Sequence, residues 1–214
     1  MKPNLEYIHW LAHASFRIDA DELQIYIDPW QLGEDAPPAD LILITHDHGD
    51  HCSPEDVAKI IKDDTAIVTI ALAASQLTGD IKLIQPGDKL TVKGIPIEVV
   101  PAYNLTKFRS PGNPFHPKES GYVGFIITVG GVRIYHTGDA DVIPEMEALE
   151  VDIALLPVSG TYVMTTEEAI EAADILQPKV AIPMHIGRGI GGLEMAEEFK
   201  QKAHIPVEVL PLEG

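Results

Sequence analysis

One short segment concentrates the side chains that could perform chemistry. It reads Thr45-His46-Asp47-His48-Gly49-Asp50-His51, and it follows the apolar run Leu41–Ile44. Imidazole nitrogens and carboxylate oxygens are ligands that suit borderline divalent metals such as zinc, manganese or iron. Without a cation, so many ionisable groups in a folded interior would repel or desolvate one another. A polar surface loop is the alternative interpretation, and the dense spacing favours a metal site.

The order of motifs along the chain resembles a known family. The segment 46–51 resembles the His-x-His-x-Asp-His signature of the metallo-β-lactamase fold superfamily. This superfamily expects an acid after a later strand, and residues 135–139 look like that element. It also expects a last histidine after another strand, and residues 182–185 fit that position. The opening His13-Ala14-Ser15-Phe16 and the segment Ile27-Asp28-Pro29 look like those of the branch that contains ascorbate-6-phosphate lactonase.

The resemblance implies two metal positions that share one acid. One or two divalent ions are therefore the implied cofactors, with zinc favoured and manganese or iron as alternatives. Occupancy by a single tightly held ion at the second position stays open. The implied ligands are His46 and His48 for the first ion, Asp50, His51 and His185 for the second ion, and Asp139 as the bridge between them.

The first position lacks the further histidine that the superfamily usually supplies. That ligand comes from just after a mid-chain strand, here residues 97–102, where Tyr103 and Asn104 stand instead. Asn104 offers only a weak amide oxygen. The nearest histidine is His116, inside a Pro/Gly-rich segment. Either His116 folds back as the ligand, or the first position is incomplete and weaker.

The implied centre would create a small positive region in an acidic protein. Such a region suits a small anionic or carbonyl substrate, because bound metal ions polarise the electrophile and lower the pKa of bound water toward ~7. Asp50 and His13 are the candidate catalytic residues. The resemblance implies that Asp50 also orients the hydroxide and accepts its proton. His13 is expected to face substrate or to position a ligand, and Asp28 to hold the histidine loop, although purely structural roles stay open for both.

A second region of interest is the segment 103–120, which holds three prolines and one glycine and is interpreted as a loop. Long connections without secondary structure are usually functional or disordered. We expect this loop to border the cleft, with Lys107 or Arg109 binding a substrate phosphate or carboxylate. A solvated loop that balances the acidic surface is the alternative. Tyr162 is expected to form another cleft wall, with core packing as its alternative role.

The elements that position these residues are mainly short strands. Helices are predicted after the capping residues Ser53 and Thr165 and over Leu193–Lys202, and Gly130-Gly131 predicts a tight hairpin turn. Strand-rich halves followed by helices predict an α/β fold, a four-layer αββα sandwich. The resemblance to the superfamily implies that this sandwich has the metallo-β-lactamase fold. The predicted strands cover residues 7–10, 15–19, 24–27, 41–45, 66–70, 89–92, 97–100, 122–129, 132–136, 153–157, 180–184 and 207–210.

Composition restricts the classes of protein that need consideration. The 214 residues suit one domain, expected over residues 1–214. The formal net charge of −18 disfavours nucleic acid and anionic membranes as partners. The single cysteine, Cys52, excludes an intrachain disulfide and a Cys-rich zinc module. Because the sequence shows neither a signal-peptide core nor a membrane span, we expect a cytoplasmic protein; a homo-oligomer stays open.

The expected function is that of a metal-dependent hydrolase. The resemblance implies that a metal-bound hydroxide attacks an ester, a lactone or a phosphodiester, with a sugar-phosphate or nucleotide-like substrate. A di-iron redox protein of the same fold is one alternative, but such proteins resemble His-x-Glu-x-Asp-His, and His48 stands at the position of that Glu. A non-catalytic metal-binding module, with catalysis lost through Asn104, is the other.

Overall fold

The computed structural model describes residues 3–187 and 189–213, which form two six-stranded sheets, one small hairpin and four α-helices. In chain order the strands are β1 (Ile8–Ala12), β2 (Ser15–Ala20), β3 (Leu23–Ile27), β4 (Leu41–Ile44), β5 (Ala66–Thr69), β6 (Asp80–Leu83), β7 (Lys89–Val92), β8 (Ile95–Pro101), β9 (Phe108–Ser110), β10 (Asn113–Pro114), β11 (Val123–Val129), β12 (Val132–His136), β13 (Ile153–Pro157) and β14 (Val180–Met184).

The first sheet has the strand order β1-β2-β3-β4-β5-β6. Its first three strands pair antiparallel, and β3 to β6 pair in parallel. All four residues of β4 are buried, as a strand in a sheet covered on both faces requires. The histidine-rich segment leaves the carboxyl end of this buried strand, so its start is held rigidly.

The second sheet has the strand order β14-β13-β12-β11-β8-β7. The strands β7, β8, β11 and β12 pair antiparallel, whereas β12, β13 and β14 pair in parallel. Val129 pairs with Val132 across Gly130 and Gly131, and both glycines have positive φ, which confirms the predicted hairpin turn.

The helices lie outside these sheets, and the two with predicted capping residues begin where those residues indicate. Ser53 accepts a hydrogen bond from the Asp56 backbone N–H, and Thr165 forms a capping box with Glu168. Helix α2 (Ala71–Ala74) contacts β6, whereas α3 (Thr166–Leu176) contacts β13 and α4 (Leu193–Lys202) contacts β14. Together with a single hydrophobic core that includes buried residues of both sheets, this confirms the predicted αββα sandwich. The helices are α1 (Pro54–Ile60), α2 (Ala71–Ala74), α3 (Thr166–Leu176) and α4 (Leu193–Lys202), with 3₁₀ turns at Lys118–Ser120 and Pro144–Ala148.

The structure differs from the predicted elements in four places. The short helix α2 was not predicted. Residues 207–210 were predicted as a strand, but only Val207 forms a bridge, to Ala181, because Pro206 and Pro211 on either side have no N–H to donate. The edge strand β6 was not predicted, since its charged residues obscure the apolar pattern. The segment 103–120 contains the short hairpin β9–β10 rather than a structureless loop.

None of the helices among the described residues is both long and apolar enough to span a membrane.

Candidate metal centre

Two glycines bring the second sheet against the histidine-rich segment. Gly138 has φ +61°, and a Cβ there would lie 2.6 Å from the Val123 carbonyl oxygen. A Cβ on Gly124 would lie 2.6 Å from the His136 carbonyl oxygen. Neither position has room for a side chain, so both glycines are needed for this close approach. The Val123 N–H donates to the Thr45 carbonyl oxygen at 3.2 Å, which fixes the end of β11 beside the segment that follows β4.

Side chains from five separate stretches of the chain converge where these strands end. They include an acid after β12, a histidine after β14 and a histidine between β1 and β2. Within each of three groups, the candidate ligand atoms lie within 4.8 Å of one another. The groups are His46, His48 and His116; His13, Asp50, His51 and His185; and His46, His51 and Asp139.

The first group contains His116, which folds back from the loop after β10. Its Nε2 lies 3.3 Å from His48 Nδ1, and His46 Nε2 lies 3.1 Å from the same His48 nitrogen. Asp139 Oδ2 is 3.4 Å from His116 Nε2 and 3.9 Å from His46 Nε2. Of the two arrangements that the sequence left open, the geometry therefore favours the one in which His116 is the third imidazole of the first group.

Asn104 lies behind His116 rather than in the ligand groups. Its Oδ1 accepts hydrogen bonds from the His116 backbone N–H at 2.8 Å and from His116 Nδ1 at 2.9 Å. Its Nδ2 donates to Asp141 Oδ1 at 3.1 Å and to the Tyr162 carbonyl oxygen at 2.9 Å. This network places the His116 proton on Nδ1, so that the Nε2 lone pair faces the group.

Asp141 is a residue whose importance the sequence analysis missed. Its side chain is buried, and its Oδ2 accepts from the backbone N–H groups of Leu105 and Thr106, both at 2.7 Å. With Asn104 it therefore anchors the start of the loop that carries His116. Its position two residues after Asp139 was the only indication available in the sequence.

Replacing Asn104 by alanine should weaken binding of one of two ions by about 10–100-fold, because His116 would lose its orienting acceptor. Titration with Zn²⁺ or Co²⁺, followed by calorimetry, measures this effect. Asn113→Ala is the matched control, since Asn113 is exposed on the same loop. Unchanged affinity for both ions in Asn104→Ala would show that Asn104 does not position His116.

The second group is arranged around Asp139, which is 3% exposed. Its Oδ1 lies 3.2 Å from His51 Nε2, and its Oδ2 lies 3.2 Å from His185 Nε2. Asp50 Oδ2 lies 4.0 Å from His51 Nε2 and 3.3 Å from His13 Nε2. Since Asp139 also approaches the first group, its carboxylate lies within reach of both sets of histidines.

A buried hydrogen-bond network orients the ligand histidines. Asp28 Oδ2 accepts from His51 Nδ1 at 2.7 Å and from the Thr45 hydroxyl at 2.6 Å, and Asp28 Oδ1 accepts from the Thr45 backbone N–H at 2.8 Å. Because the Thr45 hydroxyl donates to Asp28, it must accept from His46 Nδ1, 2.9 Å away. Both histidines thus donate from Nδ1 and direct Nε2 to the centre.

Electrostatics also prepare the centre for cations. Burial lowers the pKa of His13 and of His116 to about 4, which keeps these imidazoles neutral. Burial alone would lower the pKa of His51, but the carboxylates of Asp139 and Asp28 hold it well above its usual value. Burial opposes ionisation of Asp139, yet His185 and His51 hold its pKa well below the usual value. A buried carboxylate kept ionised among imidazoles is a strong ligand for a divalent cation.

Several buried polar atoms in the centre lack a hydrogen-bond partner. They are His51 Nε2, Asp139 Oδ1 and both ring nitrogens of His13. Leaving such a group unsatisfied costs about 1–3 kcal/mol, more when it is charged. All four atoms belong to members of the ligand groups, so their geometry and chemistry fit divalent cations as the missing partners.

The candidate substrate cleft opens over Asp139 and has a volume of about 220 Å³. The Arg109 guanidinium carbon lies 4.9 Å from the centroid of the Phe115 ring, which in turn contacts the Tyr162 ring at a centroid distance of 4.6 Å. Tyr162 is 40% exposed, so core packing does not describe its environment. The lining residues are His48, Asp50, Arg109, Phe115, His116, Asp139 and Tyr162.

Lys107 lies outside this lining. Its Nζ is 2.7 Å from Glu168 Oε1 and 3.7 Å from Asp141 Oδ1. The ammonium group therefore pairs with the protein's own carboxylates and ties the loop to the start of α3. Of the two basic residues expected at the substrate, only Arg109 lines the cleft.

Two other residues highlighted by the sequence have structural contacts. His136 Nε2 donates to the Ala14 carbonyl oxygen at 2.8 Å, and its Nδ1 accepts from the Gly138 N–H at 3.1 Å. With both nitrogens occupied, His136 supports the turn before Asp139. Cys52 is buried, and burial raises the pKa of its thiol to about 12, which leaves it in the unreactive protonated form.

Comparisons with known proteins agree with this geometry. Residues 7–185 match the family model described as a beta-lactamase superfamily domain. The chain is similar to a UPF0173 metal-dependent hydrolase of Methanopyrus kandleri, with 32% identity over 96% of each chain. It is also similar to one of Thermoplasma acidophilum, with 35% identity over 85% of this chain and 83% of that one. The crystal structure of a metal-dependent hydrolase from Parabacteroides distasonis superposes with a TM-score of 0.84 and 35% identity, and covers 96% of this chain and 93% of that one.

Proposed function

The chain belongs to the beta-lactamase superfamily and, within it, to the UPF0173 metal-dependent hydrolases, and we propose that it hydrolyses a small anionic ester, lactone or phosphodiester. Two divalent ions would be the cofactors, with zinc favoured and manganese or iron as alternatives. The observation that carries this proposal is that three groups of candidate ligands meet around one buried carboxylate, Asp139.

Divalent ions bound in these groups supply Lewis-acid polarisation of the substrate and lower the pKa of a water molecule. His46, His48 and His116 would hold the first ion, and Asp139 would reach both ions. Asp50 is the less buried acid of the centre and lines the cleft. Its carboxylate can orient the attacking water and accept its proton.

The cleft walls favour an anion with a planar or apolar part. Arg109 is the cationic side chain that lines the cleft, and its guanidinium can form paired hydrogen bonds with a phosphate or a carboxylate. The Phe115 ring contacts the guanidinium and packs against Tyr162, and these two rings offer a surface for stacking.

Replacing Arg109 by alanine should raise KM for an anionic substrate by about 10–100-fold, because a hydrogen bond to a charged group contributes about 1.5–3 kcal/mol. Lys107→Ala should have a smaller effect, since Lys107 is paired with Glu168. Steady-state kinetics measure both changes, and Lys118→Ala is the matched control from the same loop. If Arg109→Ala keeps the wild-type KM for anionic substrates, Arg109 does not bind them.

The proposed function is tested by a substrate panel. Protein loaded in turn with zinc, manganese or iron is assayed on p-nitrophenyl esters, lactones and bis(p-nitrophenyl) phosphate. We expect turnover of at least one class, its loss on chelation and its recovery on metal addition. Absence of turnover on every class with every metal would contradict the hydrolase proposal, and oxygen consumption with iron would favour the di-iron redox alternative.

The geometry gives less support to the two alternative functions. A non-catalytic module was considered because the first position appeared to lack a third imidazole, but His116 lies within reach of it. A di-iron redox centre would have Glu where His48 stands, and the His48 imidazole lies in the first group. Hydrolysis therefore remains the better-supported function.

A further inference from the structure

His13 lies in the second group although the superfamily signature gives it no role there. Its donor atom lies within 4.8 Å of those of Asp50, His51 and His185. The side chain is 0% exposed, and neither ring nitrogen has a hydrogen-bond partner. The residues that line the cleft do not include His13, so the expectation of a substrate-facing His13 does not suit its position.

The backbone of His13 is held in a costly conformation. Its φ is +53°, in the left-handed region that non-glycine residues rarely adopt. Its N–H donates to the Ile186 carbonyl oxygen at 3.0 Å, and its carbonyl oxygen accepts from the His185 N–H at 2.9 Å. The Trp10 indole N–H donates to the same oxygen at 3.0 Å. These contacts join His13 to the turn that carries His185, and such strain persists where surrounding structure fixes it, typically at functional sites.

The His13 ring packs against two other rings, and its Nε2 lies beside Asp50. Trp30 packs edge-on against the His13 ring at a centroid distance of 5.3 Å, and the His185 ring lies 4.1 Å away. His13 Nε2 lies 3.3 Å from Asp50 Oδ2, but these two atoms do not make a satisfactory hydrogen bond. The nitrogen therefore points toward the same space as the candidate ligand atoms of Asp50, His51 and His185.

We propose that His13 Nε2 is a fifth protein ligand of the second ion, beside Asp50, His51, His185 and the bridging Asp139. This inference rests on the proposed function, because it concerns the same metal centre. Five protein donors exceed the four of a tetrahedral zinc site. The second position should therefore bind its ion with five or six donors, a coordination number that Mn²⁺ and Fe²⁺ adopt more readily than zinc.

The variants His13→Gly and His13→Asn test this assignment, because glycine and asparagine tolerate the positive φ at this position. In Co²⁺ titrations, each variant should lower the affinity for one ion by more than ~10–100-fold. A loss of ~10–100-fold is typical when the replaced residue only orients a metal ligand. The visible absorption of that cobalt ion should intensify as its coordination number falls. Added imidazole should restore binding in His13→Gly. His9→Asn is the control, since His9 lies on the preceding strand β1 and pairs with Asp19 and Glu213.

A measurement on the unchanged protein makes the test independent of how the variants fold. With ¹⁵N-labelled histidine and ¹¹³Cd²⁺ in both positions, six ring nitrogens should show coupling to cadmium, including His13 Nε2. Five couplings without His13, or variants with wild-type affinity and cobalt spectrum, would overturn the inference while leaving the hydrolase proposal intact. Failure of the wild-type protein to bind any ion would overturn both.

Discussion

Replacing Asp139 by alanine is expected to abolish tight binding of both divalent ions. Asp139 places one oxygen 3.2 Å from His51 Nε2 and the other 3.2 Å from His185 Nε2, and it also approaches the first group. Loss of about 4 kcal/mol of Lewis-acid stabilisation corresponds to a roughly 1000-fold fall in kcat/KM. Metal analysis after dialysis and steady-state kinetics measure the two effects.

Two further variants distinguish a bridging role from a general loss of structure. Asp141→Ala should lower the affinity for the first ion only, because Asp141 supports Asn104 and the loop that carries His116. Asp80→Ala, on the exposed edge strand β6, should bind both ions as the wild-type protein does. If Asp139→Ala loses one ion and keeps the other at wild-type affinity, Asp139 is not a bridge.

Replacing Asp28 by asparagine is expected to lower the affinity for the second ion by about 100-fold or more. The asparagine amide can present an N–H to His51 Nδ1, which would move the imidazole proton to Nε2 and block metal binding there. The substitution should also leave a buried hydrogen-bond donor beside the new amide without an acceptor. This should lower the free energy of unfolding by about 1–3 kcal/mol. Metal titration and urea denaturation of the metal-free protein separate these two effects.

The chain offers a close control for this substitution. Asp21 also has positive φ but is exposed, so Asp21→Asn makes the same chemical change in a similar backbone conformation. It should leave the affinity for both ions unchanged. Equal affinities in Asp28→Asn and the wild-type protein would exclude a role for Asp28 in orienting His51.

The sequence predicted most of the framework because the relevant information is local. Alternating apolar runs predicted most strands, and the capping residues Ser53 and Thr165 predicted two helix starts. The dense spacing of residues 46–51 indicated a metal site without any knowledge of the fold. Asp139 and His185 follow their strands in the order that the superfamily expects. That resemblance assigned them to the same metal site as residues 46–51.

Other features of the candidate centre depend on contacts between distant parts of the chain. The position of His116 follows from the β9–β10 hairpin and from the Asn104–Asp141 hydrogen bond, neither of which has a local pattern. Lys107 appeared available for substrate, but its partner, Glu168, lies on a helix far along the chain. His13 enters the second group through backbone bonds to residues 185 and 186.

The central claim is that two ions share Asp139 between separate sets of histidines. Anomalous scattering from a crystal of the metal-loaded protein, collected at the absorption edge of the metal, tests it most directly. We expect two strong peaks, one bound by His46, His48 and His116 and the other by His51 and His185, with an Asp139 oxygen on each. Ions bound elsewhere, or no ions at these groups under saturating metal, would contradict the claim.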